Sequence, residues 1–415
     1  MDIYLVGGAV RDRILGLPQS DRDWVVTGAT PQQLLELGYR QVGADFPVFL
    51  HPESGEEYAL ARTERKTGSG YLGFEAHADP DVTLEDDLLR RDLTINAMAE
   101  TPDGALIDPF NGADDIKQRQ LRHVSPAFVE DPVRVLRVAK FMARYSHLGF
   151  EVAPETATLM QQMVNDGETD ALVAERVWAE LRSALGSTTP VAFFETLRSC
   201  GALAVVLPEV DGLWGIPQPP QWHAEIDSGV HTMMVLEQAC ALSDSIAVRF
   251  AAVCHDLGKQ LTPQNEWPSH HGHEQAGVPL VDALCQRLRV PRDHQQLAVL
   301  VCRYHLHAHR ALELAPATLA RFLGQLDSLR RPERFREFLL ACEADARGRK
   351  GRELEPYPQA DYLLSASQAY ASIDGAAIAS ATKNPAHIRD RVHQARVAAV
   401  KAWLRESRPV DNTGS

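Results

Sequence analysis

The sequence predicts an α+β chain: a mixed-sheet N-terminal head, then an all-helical neck, a second helical domain and a helical tail. Three observations predict it. Strand-like runs, broken by glycine and mixed with helical stretches, occupy residues 1–115. After about residue 116 they fade, and amphipathic helical patterns take over at 131–146, 154–165, 174–186, 190–200 and 231–243. Finally, 415 residues exceed what one hydrophobic core ordinarily organises, and the Pro-rich stretch at 216–220 (IPQPP) offers a boundary. No internal repeat of fixed period occurs.

Within the head, residues 3–6 (IYLV) read as a strand that Gly7-Gly8 ends, and residues 9–15 (AVRDRIL) read as a helix. Asp23 to Thr27 (DWVVT) and Tyr58 to Arg62 (YALAR) read as further strands. Thr30 to Leu37 reads as a helix with Thr30 as N-cap and Pro31 at its first position, where the missing N–H costs nothing. Residues 67–83, rich in Gly, Asp and Pro, read as a mobile loop.

Composition narrows the function classes. The chain is 45% hydrophobic and 24% charged, as is normal for a soluble globular protein; an enzyme of the cytoplasm, monomer or homo-oligomer, is expected. No apolar run approaches the ~20 residues that span a bilayer, so no membrane association is expected. The opening MDIYL lacks a basic leader before an apolar stretch, as a secretory signal would require. Six cysteines without C-x-x-C pairing point to buried free thiols. A net charge of −14 excludes a general polyanion binder, but the charges are segregated. Lys117, Arg119, Arg122, Arg134, Arg137, Lys140 and Arg144 cluster, and a second basic stretch runs from Arg287 to Arg352. Acids concentrate elsewhere, at Glu75, Asp79, Asp81, Glu85, Asp86 and Asp87. Such segregation leaves room for a local phosphate-binding track.

The first chemical constellation is LVGGAVRDRILG (5–16) followed by DRDWVV (21–26). A Gly-Gly turn between strand and helix lets a ligand approach the backbone, and the helix N-terminus offers free N–H groups to an anion. Arg11 adds a charged clamp for phosphate. In an extended segment Asp21 and Asp23 share a face, where they repel unless a cation lies between them. Two Mg²⁺ ions held this way can activate a 3′ hydroxyl and stabilise departing pyrophosphate. Glu57, at the start of the next strand, is the candidate third carboxylate.

LVGGAVRD, DRDWVV, RRDLTINAM (90–98), DPFNG (108–112) and EDPVRVLRVAKF (130–141) occur in that order. As a set they resemble the class II tRNA nucleotidyltransferases, the family of bacterial CCA-adding enzymes and their poly(A) polymerase relatives. The resemblance implies a nucleotidyltransferase head over 1–115 and a helical neck with a base-selecting motif over 116–220. It implies that Asp21 and Asp23 are catalytic and hold Mg²⁺, that Gly8 and Arg11 contact the triphosphate, and that Arg91, Asp92 and Asn96 contact the nucleotide, ribose included. Asp131 and Arg134 would face the base, with Glu130 holding Arg134. Arg137 and Lys140 extend that helical face toward phosphates; the family pattern has arginine where Lys140 stands, and lysine lacks the bidentate fork. The chemistry is coherent. An Asp accepts from the exocyclic amine that C and A share, and an Arg donates to ring acceptors, so an i, i+3 pair on a helix can read one flat base.

A second constellation follows residue 222: His231, His255-Asp256 in AAVCHDLGK, His270 and His273 in SHHGHE, His305 in CRYHLH and Asp345 in EADARGR. Adjacent His and Asp in an apolar helix are costly to bury without partners, and a cation would supply one. The order resembles the HD superfamily of metal-dependent phosphohydrolases, which implies an HD domain over 221–350 and a helical tail over 351–415. By that resemblance His231, His255, Asp256 and Asp345 ligate a divalent transition metal, Ni²⁺ foremost. His270, His273 and His305 are candidates for a second ion or a phosphate. His271, His307 and His309 are expected to be exposed, and Lys259 either meets phosphate or caps a helix. The implied protein adds CCA to tRNA from CTP and ATP. The alternatives are a poly(A) polymerase, or a phosphohydrolase with a vestigial head.

Overall fold

A computed structural model of the chain describes residues 1–18, 22–42, 48–66, 74–220 and 225–407. It divides into two compact units, Met1–Val206 and Leu207–Ser415.

The first unit opens with β1 (Asp2–Val6), α1 (Gly8–Leu15), β2 (Asp23–Thr27), α2 (Pro31–Glu36), β3 (Arg40–Val42), β4 (Val48–Leu50) and β5 (Glu57–Leu60). Then come β6 (Thr63–Lys66), β7 (Phe74–His77), α3 (Leu84–Leu89), β8 (Ala99–Glu100) and β9 (Leu106–Ile107). Among the described residues the main sheet has seven strands in the order β3-β4-β5-β2-β1-β8-β9. It is mixed: β2 runs parallel to β5 and antiparallel to β1. The apolar run WVV in β2 does not alternate with polar residues because both faces of the sheet are covered. Val25 packs with Val6, Leu88 and Ala97 on one side, and Val26 packs with Leu34, Phe49 and Leu60 on the other. Thr30 caps α2 by accepting from the Gln33 N–H in a capping box, as its sequence predicts.

The loop expected at 67–83 needs correction. Residues 67–73 lie outside the described residues, but Phe74–His77 form a strand that pairs antiparallel with Thr63–Lys66. After the sheet come α4 (Gly112–Gln118), the short β10 (Gln120–Leu121), α5 (Val133–Tyr145) and β11 (Glu151–Val152), with β10 parallel to β11. Helices α6 (Pro154–Asn165), α7 (Ala174–Leu185), α8 (Val191–Ser199) and α9 (Ala202–Val206) complete the unit. The α5 helix buries Val135, Leu136, Val138 and Ala139 and packs on α7 and α8. This leaves its first turns to carry Arg134 and Arg137.

The second unit is helical: α10 (Pro208–Asp211), α11 (Ser228–Leu242), α12 (Ile246–Cys254), α13 (His273–Arg287), α14 (Arg292–His309), α15 (Pro316–Gln325) and α16 (Pro332–Arg347). Then follow α17 (Pro358–Ala371), α18 (Gly375–Ser380) and α19 (Ile388–Ser407). Here α12 packs on α14, α11 on α16, and α13 on the 3₁₀ turn Leu257–Leu261. The six cysteines are free thiols, all buried except the half-buried Cys240. No described helix is long and apolar enough to cross a membrane.

Candidate functional site

In the first unit, strand register does the initial positioning. Val6, the last residue of β1, pairs with Asp23, the first of β2, so this carboxylate lies level with the Gly7-Gly8 turn. Gly7 has φ 68° and ψ −124°, and a Cβ there would stand 2.9 Å from Arg91 Nη1. No other residue suits it. On the other side of β2, Glu57 pairs with Asp23 in parallel register, so the two carboxylates share a face. Asp21 lies outside the described residues. A carboxylate pair on one face is a donor set suited to a hard divalent cation.

Beside the turn opens a cavity of about 340 Å³. Gly8, Arg11 and Asp23 line it, as do Arg91, Asp92 and Asn96. Asp131, Arg134 and Arg137 line it too, so all of these residues meet at one place. Lys140 does not: its Nζ is 2.7 Å from Glu180 Oε2. The lining also holds Arg90, Phe141 and Arg176, which the sequence reading missed. With six guanidinium groups against three carboxylates, the cavity suits a polyanion such as a triphosphate.

Buried carboxylates hold these arginines. Asp87, fully buried, accepts from Arg90 Nη2 at 2.7 Å and from Arg91 Nη2 at 3.1 Å. Asp92 accepts from Arg137 Nε at 2.6 Å, Leu93 N at 2.8 Å and Asn96 Nδ2 at 2.9 Å. Burial would raise the pKa of Asp92, but the Arg137 charge and these donors outweigh it and hold the carboxyl well below the usual range. Asn96 in turn accepts from Arg11 Nη1. Arg134 donates to the carbonyls of Ala127 (2.7 Å) and Arg90 (2.6 Å), so main-chain oxygens anchor it where a carboxylate from Glu130 was expected. Asp131 is not helical: its φ of −117° and ψ of 104° are extended, with α5 starting beyond Pro132. Its carboxylate is clamped bidentately by Arg176, at 3.1 and 2.7 Å.

The second unit gathers a different donor set. His231 comes from α11, His255 and Asp256 from the end of α12, His273 from the start of α13, His305 from α14 and Asp345 from α16. Two groups result, each close enough to hold an ion: His231, His255 and Asp345, and Asp256, His273 and His305. Glycine permits the second. A Cβ on Gly258 would collide with the His273 carbonyl and the Gly277 backbone, so the 3₁₀ turn can meet α13 only without one.

The imidazoles are preset. In each, Nδ1 faces a main-chain oxygen: Gly348 O from His231 (2.9 Å), Ala252 O from His255 (2.7 Å), His270 O from His273 (2.8 Å) and Val301 O from His305 (3.1 Å). A carbonyl only accepts, so each Nδ1 carries a proton, and in the neutral ring that leaves the Nε2 lone pair to face the centre. Burial pushes the His305 pKa down to about 3, keeping that ring neutral. His255 Nε2, buried, lies 3.0 Å from Asp256 Oδ2 without hydrogen-bond geometry. A buried lone pair of this kind, facing carboxylates, fits a cation as its partner.

His270 joins neither group. Its Nδ1 meets the Thr262 hydroxyl at 2.6 Å and its Nε2 the Pro217 carbonyl at 2.7 Å. His271 and His307 are exposed as expected, but His309 is not: its Nε2 is 2.6 Å from Asp345 Oδ2 and its Nδ1 3.0 Å from the Tyr357 hydroxyl. Lys259 is buried, with its Nζ 2.5 Å from Asp256 Oδ2.

Comparison with known proteins finds family matches in both units. Residues 3–122 fit the family described as the Poly A polymerase head domain, 149–213 that of the probable RNA and SrmB binding site of polymerase A, and 229–346 the HD domain. The chain is 62% identical to the Multifunctional CCA protein of Thioalkalivibrio sulfidiphilus, over 97% of this chain and 98% of that one. The chain belongs to the multifunctional CCA protein family. A second family member, from Teredinibacter turnerae, is 58% identical with the same coverage. The family fold extends to solved structures of low identity. An apo CCA-adding enzyme superposes with a TM-score of 0.66 at 18% identity, covering 98% of this chain and 92% of that one. The Thermotoga maritima CCA-adding enzyme complexed with tRNA gives 0.61 at 17%, covering 98% and 92%.

The residues missed in this family member differ in how visible they were. Arg90 adjoins the RRD motif and could have been included with it. Phe141 closes the motif EDPVRVLRVAKF but is an apolar residue among many. Arg176, in AERVWAEL, carries no local signal, because its partner is 45 residues away in sequence.

Proposed function

We propose that the protein builds and repairs the 3′-terminal CCA of tRNA, using CTP and ATP without a nucleic-acid template and releasing pyrophosphate. The observation that carries this reading is the arginine-rich cavity, which joins a glycine turn, a carboxylate-bearing strand and an Asp–Arg pair. Asp21 and Asp23 would hold divalent cations, Mg²⁺ in this reading, which would supply polarisation of the attacking 3′ hydroxyl and offset charge on the departing diphosphate. The chain's own groups do the rest. Arg11 and Arg91 bind phosphates, with Arg137 beside them. Asn96, fixed by Asp92, orients the ribose. Asp131 accepts from the base amine and Arg134 donates to its ring acceptors, which disfavours G and U, since these present a carbonyl where C and A present the amine.

In the second unit we infer a metal-dependent phosphatase and 2′,3′-cyclic phosphodiesterase. The preset Nε2 atoms of His231, His255, His273 and His305, with Asp256 and Asp345, would hold the metal, Ni²⁺ foremost. Such an ion lowers the pKa of water.

The test is addition to tRNA lacking its terminus. Incorporation of C, C and A that then stops supports the reading. An unbounded A tail would mean a poly(A) polymerase, and unchanged CTP incorporation by Asp21→Ala would sink the transferase assignment. His255→Ala is expected to abolish metal-stimulated phosphatase activity while sparing nucleotide addition.

A further inference from the structure

The second basic stretch of the sequence ends in EADARGRKGR, residues 343–352, of which the inferred hydrolase centre uses Asp345 and the Gly348 carbonyl but none of the arginines. In the second unit these residues wall a cavity of about 270 Å³ together with His309, Glu355 and Tyr357. Three guanidinium groups, of Arg347, Arg349 and Arg352, face it against one carboxylate, Glu355.

The cavity shares a wall with the metal-type centre. His309, on its lining, is 2.6 Å from Asp345 Oδ2, and Arg349 Nη2 reaches within 4.0 Å of Asp345 Oδ1. The arginines are not equally committed. Arg347 is held at the end of α16 by Glu343 at 2.6 Å and by the Glu355 carbonyl at 3.1 Å, an ordinary place for a cation at a helix C-terminus. Arg349 and Arg352 lie past the helix. Arg349 Nε is buried and donates to nothing in the protein, and Arg352 has its acid, Glu355, only at 3.8 Å. A half-buried guanidinium with a buried, unused Nε–H, beside a pocket and a phosphate-cleaving centre, calls for an anion with several acceptor oxygens.

We propose that this pocket seats a second phosphate of the substrate, the one that precedes the phosphate being hydrolysed. The centre then takes terminal phosphates of an RNA chain in preference to free mononucleotides. This rests on the hydrolase reading given above. Arg349 and Arg352 bind the preceding phosphodiester, and His309 and Asp345 form the boundary between the two phosphate positions.

The test separates the pocket from the chemistry. With the full-length protein in EDTA, calorimetry compares adenosine 3′,5′-bisphosphate with adenosine 3′-phosphate. The bisphosphate is expected to bind about tenfold tighter or more, and Arg352→Ala, at a half-exposed position, is expected to erase the difference. ADP is the polyphosphate control: an equal dependence on Arg352 would assign the pocket to diphosphates and overturn the RNA reading. With metal restored, kcat/KM is compared for adenosine 2′,3′-cyclic phosphate, its 5′-phosphorylated form and the dinucleotide CpA with the same cyclic terminus. The last two are expected to exceed the first by about tenfold, with the ratio collapsing in Arg352→Ala and Arg349→Ala. Equal values, or a preference that survives both substitutions, overturn the proposal. Arg352-dependent binding with no turnover of any substrate refutes the hydrolase reading itself, and the substrate assignment falls with it.

Discussion

Replacing Arg176 with alanine isolates how Asp131, the carboxylate proposed to read the base, is held. Arg176 forks onto both oxygens of Asp131, at 3.1 and 2.7 Å, and the same carboxylate accepts from the Val133 N–H at 3.1 Å. Both partners are partly exposed, with side-chain accessibilities of 29% and 20%. Ion pairs of that exposure contribute only ~1 kcal/mol to stability. For a unit of this size that is a fall in Tm of roughly 2–4 °C. The functional effect should be larger, because Asp131 keeps one of three described bonds and its orientation toward a base is no longer fixed. Losing one well-directed polar contact in a transition state costs on the order of 1.5–3 kcal/mol, so kcat/KM for CTP and ATP should drop about 10- to 100-fold. Incorporation of UTP, which gains nothing from a correctly placed Asp131, should drop less. Single-turnover incorporation with each nucleotide measures both quantities. Arg176→Lys should restore part of the stability but little of the discrimination, since an ammonium cannot fork. If Arg176→Ala lowers CTP, ATP and UTP by one common factor, Arg176 is a brace for the fold and the selection argument is wrong.

Gly7→Ala should cost about 1–3 kcal/mol in urea unfolding, from the positive φ and the displaced Arg91, and should lower nucleotide affinity as well; affinity equal to wild type would show that Arg91 does not matter. Asp87 and Asp92 both titrate below their ordinary value of 3.8, despite burial, because of Arg90, Arg91 and Arg137. Their stabilisation is complete above that value and is lost as pH falls through the depressed values. The urea midpoint should therefore drop steeply below about pH 4, and Asp92→Asn should flatten the fall. His270→Ala breaks two buried hydrogen bonds and should destabilise the protein by roughly 2–3 kcal/mol while leaving bound metal per chain unchanged; loss of one metal equivalent would make His270 a ligand after all.

The long helices and the central strands were legible because each carries its own periodicity. The patterns at 154–165 and 174–186 became Pro154–Asn165 and Ala174–Leu185, and DWVVT became Asp23–Thr27. Strands of two or three residues, such as Arg40–Val42 and Leu106–Ile107, are too short to show a period, and only their sheet neighbours define them. At the site, the helical spacing assumed for Asp131 and Arg134 overlooked Pro132, whose ring pushes the residue before it out of the helix. His309 lies four residues after His305 on α14, hence on the same face, and this spacing alone argued against exposure. His270 was the opposite case. Its φ of 48° turns it out of the series formed by its neighbours, and nothing in SHHGHE announces that.

The two centres manage charge in opposite ways, and the difference follows from their hydrogen bonds. In the first unit, buried Asp87 and Asp92 are saturated by arginine and amide donors, so they serve as fixed counter-charges that leave a surplus of guanidinium at the cavity wall. A cavity of that kind suits a polyanion. In the second unit the donors point the other way. Four imidazoles donate Nδ1–H to main-chain carbonyls and turn Nε2 toward Asp256 and Asp345. Lone pairs and carboxylates crowded in a buried volume repel, and Lys259 against Asp256 offsets only part of that repulsion. A cation would relieve this arrangement, as a polyanion would the first. The fit depends on Nδ1 carrying a proton, and the backbone of α12, α14, the turn before α13 and Gly348 after α16 sets that before any ligand arrives.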